Sequence, residues 1–157
     1  MKVGFDGGIR LEFHGAKVSS NGGLLVYRDL DHALGLFNSV SASFIDKRTG
    51  RNIQHAMPTL LRQSIYSRLA GYEDVNDAEL LSVDPIMRAI TGKKDKDKQA
   101  ASTNTMGRFE TDILTQQENL ISLSAINDTW VQKAMGKTQH KRIILDMDSS
   151  VSPVHGE

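Results

Sequence analysis

Apolar residues recur three and four positions apart over most of this chain. That spacing constrains the fold most, because only a period near 3.6 residues gathers such positions onto one face. Residues 24–37 carry Leu24, Tyr27, Leu30, Leu34 and Phe37 at helical spacing, behind the cap and turn residues Ser19-Ser20-Asn21-Gly22-Gly23. The run Ile53, Met57, Leu60, Leu61, Ile65 and Leu69 repeats the pattern. Pro58 fits the first turn of a helix starting near Met57, and Gly71 is a C-terminal stop. Asp74, Asn76 and Asp77 offer N-caps for a short helix through Leu81, and Ser82-Val83-Asp84-Pro85 supplies a cap and a first-turn proline ahead of residues 86–90. Ser102-Thr103-Asn104 opens a further helical stretch through Met106, Phe109, Ile113 and Leu114. Its pattern continues through Leu120, Leu123, Ile126, Trp130, Val131 and Ala134 to Gly136, with a break left open between 110 and 115. Trp130, on the apolar face, is a core residue first.

Two segments depart from that period. Ile9, Leu11 and Phe13 alternate with Arg10, Glu12 and His14, and Gly7-Gly8 suits a tight turn, so a short β-hairpin is expected near residues 3–14. Residues 142–148 read as an apolar strand with Asp146 and Asp148 on one side and Ile143, Leu145 and Met147 on the other. Two carboxylates that close repel and raise each other's pKa unless a cation or proton lies between them, which points to a divalent metal ion. The plainer reading is turn chemistry, since Asp-Ser-Ser side chains bond the backbone beyond a strand end. Such a strand needs pairing partners, and only the N-terminal hairpin region is available to it, so the sheet is expected to be incomplete.

A chain of 157 residues builds one domain with a real core. Its 19 Lys and Arg balance 19 Asp and Glu, which excludes a global basic field and makes any nucleic-acid contact local. Four lysines between 93 and 98 give one local excess, either a solvated linker or a phosphate contact. Cysteine is absent, which removes disulfides and thiolate metal sites and is compatible with a reducing cytoplasm. The N-terminus has no signal-peptide run and no stretch is long enough to span a bilayer, so a cytoplasmic protein without membrane attachment is expected. The five histidines show no zinc spacing, and Ser19 to Gly23 lacks the lysine of a phosphate loop.

Several motifs in one order carry a resemblance. Gly15-Ala16-Lys17-Val18-Ser19-Ser20-Asn21-Gly22-Gly23-Leu24-Leu25 is followed by Leu60-Leu61-Arg62-Gln63-Ser64-Ile65-Tyr66 and Gly71-Tyr72-Glu73-Asp74-Val75-Asn76-Asp77-Ala78. Asp84-Pro85, Thr105-Met106-Gly107-Arg108-Phe109-Glu110 and Ile144-Leu145-Asp146-Met147-Asp148-Ser149-Ser150-Val151-Ser152-Pro153-Val154-His155-Gly156 continue it. Together they resemble the amino-terminal region of bacterial insertion-sequence transposases of the DDE type, in the branch described as DDE domain group one, over nearly the whole chain.

The resemblance implies a mainly α chain with a small β component. Residues 1–136 form the N-terminal mostly helical region, with the candidate DNA-binding helices at 53–115. Residues 137–157 begin a truncated RNase H-like α/β catalytic core whose first strand is 142–148. It places the first catalytic and metal-binding aspartate at Asp148, with Asp146 as runner-up, and implies Mg²⁺ as cofactor for strand cleavage and transfer. The other two acidic residues of the triad would lie beyond residue 157, so the chain by itself is expected to bind element-end DNA at most. Its partner would be the terminal inverted repeats of a mobile element, with a homodimer left open. Arg108 is the foremost DNA-contact candidate, followed by Arg62, Arg68, Arg88, Lys93 and Lys94, each weighed against a solvated or ion-paired role. The competing reading is a small helical interaction or regulatory protein without nuclease activity.

Overall fold

The computed structural model describes residues 3–9, 21–49, 53–92 and 99–136, with the isolated positions 142, 144 and 146. Gly35 has φ of 61°, the left-handed conformation glycine adopts most cheaply. It therefore splits the first helical run into α1 (Leu24–Leu34) and α2 (Leu36–Ser41). Helix α3 (Met57–Leu69) begins at Met57 with Pro58 in its first turn, where a missing N–H costs nothing. It ends before Gly71, whose φ of 87° lets the chain turn away. A 3-10 turn at Val75–Asp77 follows, opened by the Asp74 side chain accepting from Asn76 N at 2.8 Å. It leads into α4 (Ala78–Val83), and α5 (Pro85–Ile90) follows one residue later, capped by the Asp84 carboxylate on Met87 N at 2.7 Å. Helix α6 (Thr103–Arg108) runs without interruption into a π-helical turn at Phe109–Ile113, before α7 (Gln117–Ser124) and α8 (Ile126–Met135). The break between 110 and 115 is this π turn and its exit.

Helix α3 lies at the centre. Met57, Leu60, Leu61, Arg62, Gln63, Ser64 and Tyr66 are all buried, so the helix is covered on most sides rather than along one stripe. It packs on α2, while α1 packs on α5 and α4 on α5 and α6. Phe37 of α2 meets Tyr66 and Trp130 edge-on, each at a centroid distance of 5.3 Å, joining α3 to α8 through two contacts of one ring. Trp130 also donates from Nε1 to the Leu36 carbonyl at 3.4 Å, consistent with its reading as a core residue.

Two buried side-chain amides do the work that strand pairing does elsewhere. Gln63 donates to the Ala101 carbonyl at 2.6 Å and accepts from its N–H at 2.7 Å. Asn119 accepts from Ile45 N at 2.8 Å and donates to the carbonyls of Ile45 and Ile113 at 3.0 and 2.8 Å. Extended backbone thereby finds its hydrogen bonds without a sheet.

The mainly helical expectation holds, whereas the small β component is not seen among the described residues. Where the hairpin is expected, the described residues 3–9 instead form consecutive turns. Asp6 closes one of them, its carboxylate accepting from Gly8 N at 3.0 Å and its carbonyl from Ile9 N at 3.1 Å, and Gly4 N donates to the Asp29 carboxylate. Backbone satisfied this way has no need of a ladder; residues 10–14 lie outside the described residues. Of the expected strand at 142–148, Arg142, Ile144 and Asp146 are described; they carry no strand and are exposed, Ile144 at 78%. The remainder, with Asp148, lies outside the described residues. Helix α1 also departs from the expected stripe. Tyr27 and Leu30 are half-exposed, and the buried positions are Leu24, Leu25 and Asp31. No helix among the described residues is long and apolar enough to cross a membrane.

Candidate nucleic-acid interface

A cation meets DNA only if its charge is not already spent inside the fold, so the partners of each arginine decide its role. Asp31, 1% exposed, is the centre of a charge network linking α1, α2 and α3. Its Oδ2 accepts from Arg28 Nη1 at 2.9 Å and from Arg62 Nε at 2.8 Å, and its Oδ1 accepts from Phe37 N at 2.9 Å. Arg62 also donates to Asn38 Oδ1 at 2.9 Å and lies 5.7 Å from the Phe37 ring. Arg28 donates from Nε to the Ile90 carbonyl at the end of α5, at 3.0 Å, and stacks 4.5 Å over Phe5. Burial lowers the Arg28 pKa and the neighbouring Arg62 charge lowers it further, while Asp31 opposes both. Burial also pushes the Tyr66 phenol up, in the same direction as the Asp31 charge. Arg62, expected at the DNA backbone, is instead 7% exposed and turned to Asp31.

Arg68 sits at the edge of α3, its side chain 48% exposed, and forms a two-pronged pair with Glu110 of the π turn. Nη1 reaches Oε1 at 2.9 Å and Nη2 reaches Oε2 at 3.0 Å, with Ser64 Oγ on the same Oε1 at 2.8 Å. Burial pushes the Glu110 carboxyl up, but hydrogen bonds from Arg68 and Ser64 and the Arg68 charge outweigh it, leaving the group below its ordinary value. The hydrogen bond to Glu110 raises Arg68 against a smaller effect of burial, and Glu110 and Glu73 add their charges. Ser67, Tyr72, Glu73 and Asp74 line the small cleft beside this pair. An arginine among so many carboxylates is poorly placed for phosphate.

The remaining candidates differ in position. Arg88 lies half-buried on α5, and Arg108 is exposed in the last turn of α6. Lys93 and Lys94 lie outside the described residues. Arg48, in the basic loop after α2, is committed to Asp46 at 2.6 Å and to the His55 carbonyl at 3.0 Å. Its hydrogen bond holds the Asp46 carboxyl below the usual range. Met106, Phe109 and Ile113 anchor the chain from 103 to 113 in the core, and Asn104, Arg108 and Thr111 face away from it.

For the acidic pair, Asp146 is exposed and Asp148 lies outside the described residues. Among the described residues no group of three or more His, Asp or Glu side chains is placed to hold a metal ion. Sequence reasoning missed Asp31, Gln63, Asn119 and Glu110, all of which the fold uses. The available signal was the Arg28–Asp31 pair three apart on α1, facing the same way as Leu24; the amides carry no local signal because their partners are distant in sequence.

The family model described as transposase DDE domain group 1 matches residues 1–157. No curated protein and no solved structure matches the chain.

Proposed function

The chain belongs to the transposase DDE domain group 1 family, and on that premise we propose that its helical body binds the terminal inverted repeats of a mobile element. The observation that carries this reading is the family match over residues 1–157. Arg108 and Arg88, with Lys93 and Lys94, are the proposed DNA contacts. Arg62 and Arg68 are assigned to the fold, since each is spent on an internal carboxylate. A formally neutral chain with few such cations binds DNA through a local patch, so its affinity must fall with salt, but with a shallow slope.

The family's strand cleavage and transfer require Mg²⁺ held by carboxylates. We assign Asp148, or Asp146, to the first ligand position. The described residues do not by themselves fit a magnesium centre, because Asp146 is exposed and no group of three metal-binding side chains is gathered. Binding is the activity we propose for this chain.

An electrophoretic shift series tests the reading. A duplex carrying an inverted-repeat end of the element, and a shuffled duplex of the same composition, are titrated at stepped salt. Tighter binding of the end duplex, weakening as salt rises, is expected; equal binding of both duplexes, or none at low salt, would overturn it.

A further inference from the structure

Helix α6 and the π turn form one continuous helix from 103 to 113. Its inner face is fixed by Met106, Phe109 and Ile113, which are 3%, 0% and 5% exposed. Its outer face carries Asn104, Arg108 and Thr111 at successive intervals of four and three, so all three project from one side. Thr111 is occupied locally, donating to the Gly107 carbonyl at 2.9 Å and to Asp112 Oδ1 at 2.8 Å. Asn104 and Arg108 are exposed, and their side chains hydrogen-bond to none of the described residues. They project from a helix backed by α4 and the 3-10 turn.

We propose that Asn104 and Arg108 read base edges in the major groove of duplex DNA, Asn104 on an adenine and Arg108 on a guanine. This rests on the DNA-binding reading above. The side-chain types carry the assignment: an amide matches the N6 and N7 of adenine, and the guanidinium fork matches the O6 and N7 of guanine. Position favours bases over backbone. Asp112 stands exposed four residues beyond Arg108; its carboxylate repels phosphate, whereas the N4 amino group of a cytosine in the groove donates to it. Four residues of helix advance about 6 Å, against about 3.4 Å per base pair, so the adenine and guanine lie about two base pairs apart.

The test is selection from a pool of duplexes with a randomised core, using the full chain, R108A, R108K and N104A. Wild type is expected to enrich a motif with an adenine and a guanine about two base pairs apart. R108A and R108K both lose the guanine, because lysine keeps the charge without the fork, and N104A loses the adenine. Affinity for the wild-type motif falls roughly five- to one-hundred-fold in each variant, and R108K, which keeps the charge, loses less affinity for an unrelated duplex than R108A. A wild-type motif retained unchanged by all three variants overturns this inference and leaves the DNA-binding reading standing. A wild-type chain that enriches no motif and binds no duplex overturns both.

Discussion

Asp31 shows how much of this fold rests on one side chain. Its carboxylate accepts from Arg28, Arg62 and the Phe37 N–H while almost fully buried, so it pairs with two guanidinium groups that no solvent reaches well and offsets one of their two charges. Removing one member of such a group leaves uncompensated charge inside the protein, which typically costs about 3–5 kcal/mol. D31A is therefore expected to lower the stability of the chain by about that amount in urea unfolding followed by helical circular dichroism. A loss below about 1 kcal/mol would mean that Arg28 and Arg62 find water or another anion instead. The pair on α1 has a local signal that the sequence reading missed, an Arg and an Asp three apart. The second arginine has none, because Arg62 lies 31 positions away and helical spacing says nothing about which helix α1 faces.

At the scale of elements, the helical period and the caps predicted most of the boundaries. Pro58, Gly71, Asp74 and Asp84-Pro85 act through local backbone geometry, so their meaning is present in a few residues of sequence. Neither expected β segment carries a strand among the described residues. A strand needs a partner, and at residues 3–9 the Asp6 turn and the Asp29 contact satisfy the backbone locally. The π turn was legible only as a break, and its consequence is the Glu110 contact with Arg68 and Ser64, which ties it to α3. Because the folded Glu110 carboxyl lies below its ordinary 4.5, its ionised form stabilises the fold above that pH, and the contribution is lost as pH falls through the folded value. The wild type should thus exceed E110Q by roughly 1 kcal/mol at neutral pH, allowing for solvent screening at the half-exposed Arg68. That gap is expected to close below pH 4.5 in urea titrations at stepped pH; a gap unchanged in acid would remove the ion pair as its source.

The whole molecule is a helical body organised around α3, with its internal arginines consumed by carboxylates and an outward polar face on the helix from 103 to 113. A balance of 19 basic and 19 acidic residues gives the chain no global basic field, and several of its arginines are spent on carboxylates. Of the cations expected at DNA, Arg62 and Arg68 are turned to Asp31 and Glu110 inside the fold. The family was legible because several motifs occur in one order, a property independent of any one residue's surroundings. The role of each arginine was not, since exposure is a property of the assembled core. Hydrogen–deuterium exchange of the full chain, with and without an inverted-repeat duplex, tests this account most directly. Slower exchange over residues 99–115, with α1 and α8 unchanged, is the predicted result; slowing confined to α1 and α8, with none over α6, would contradict it.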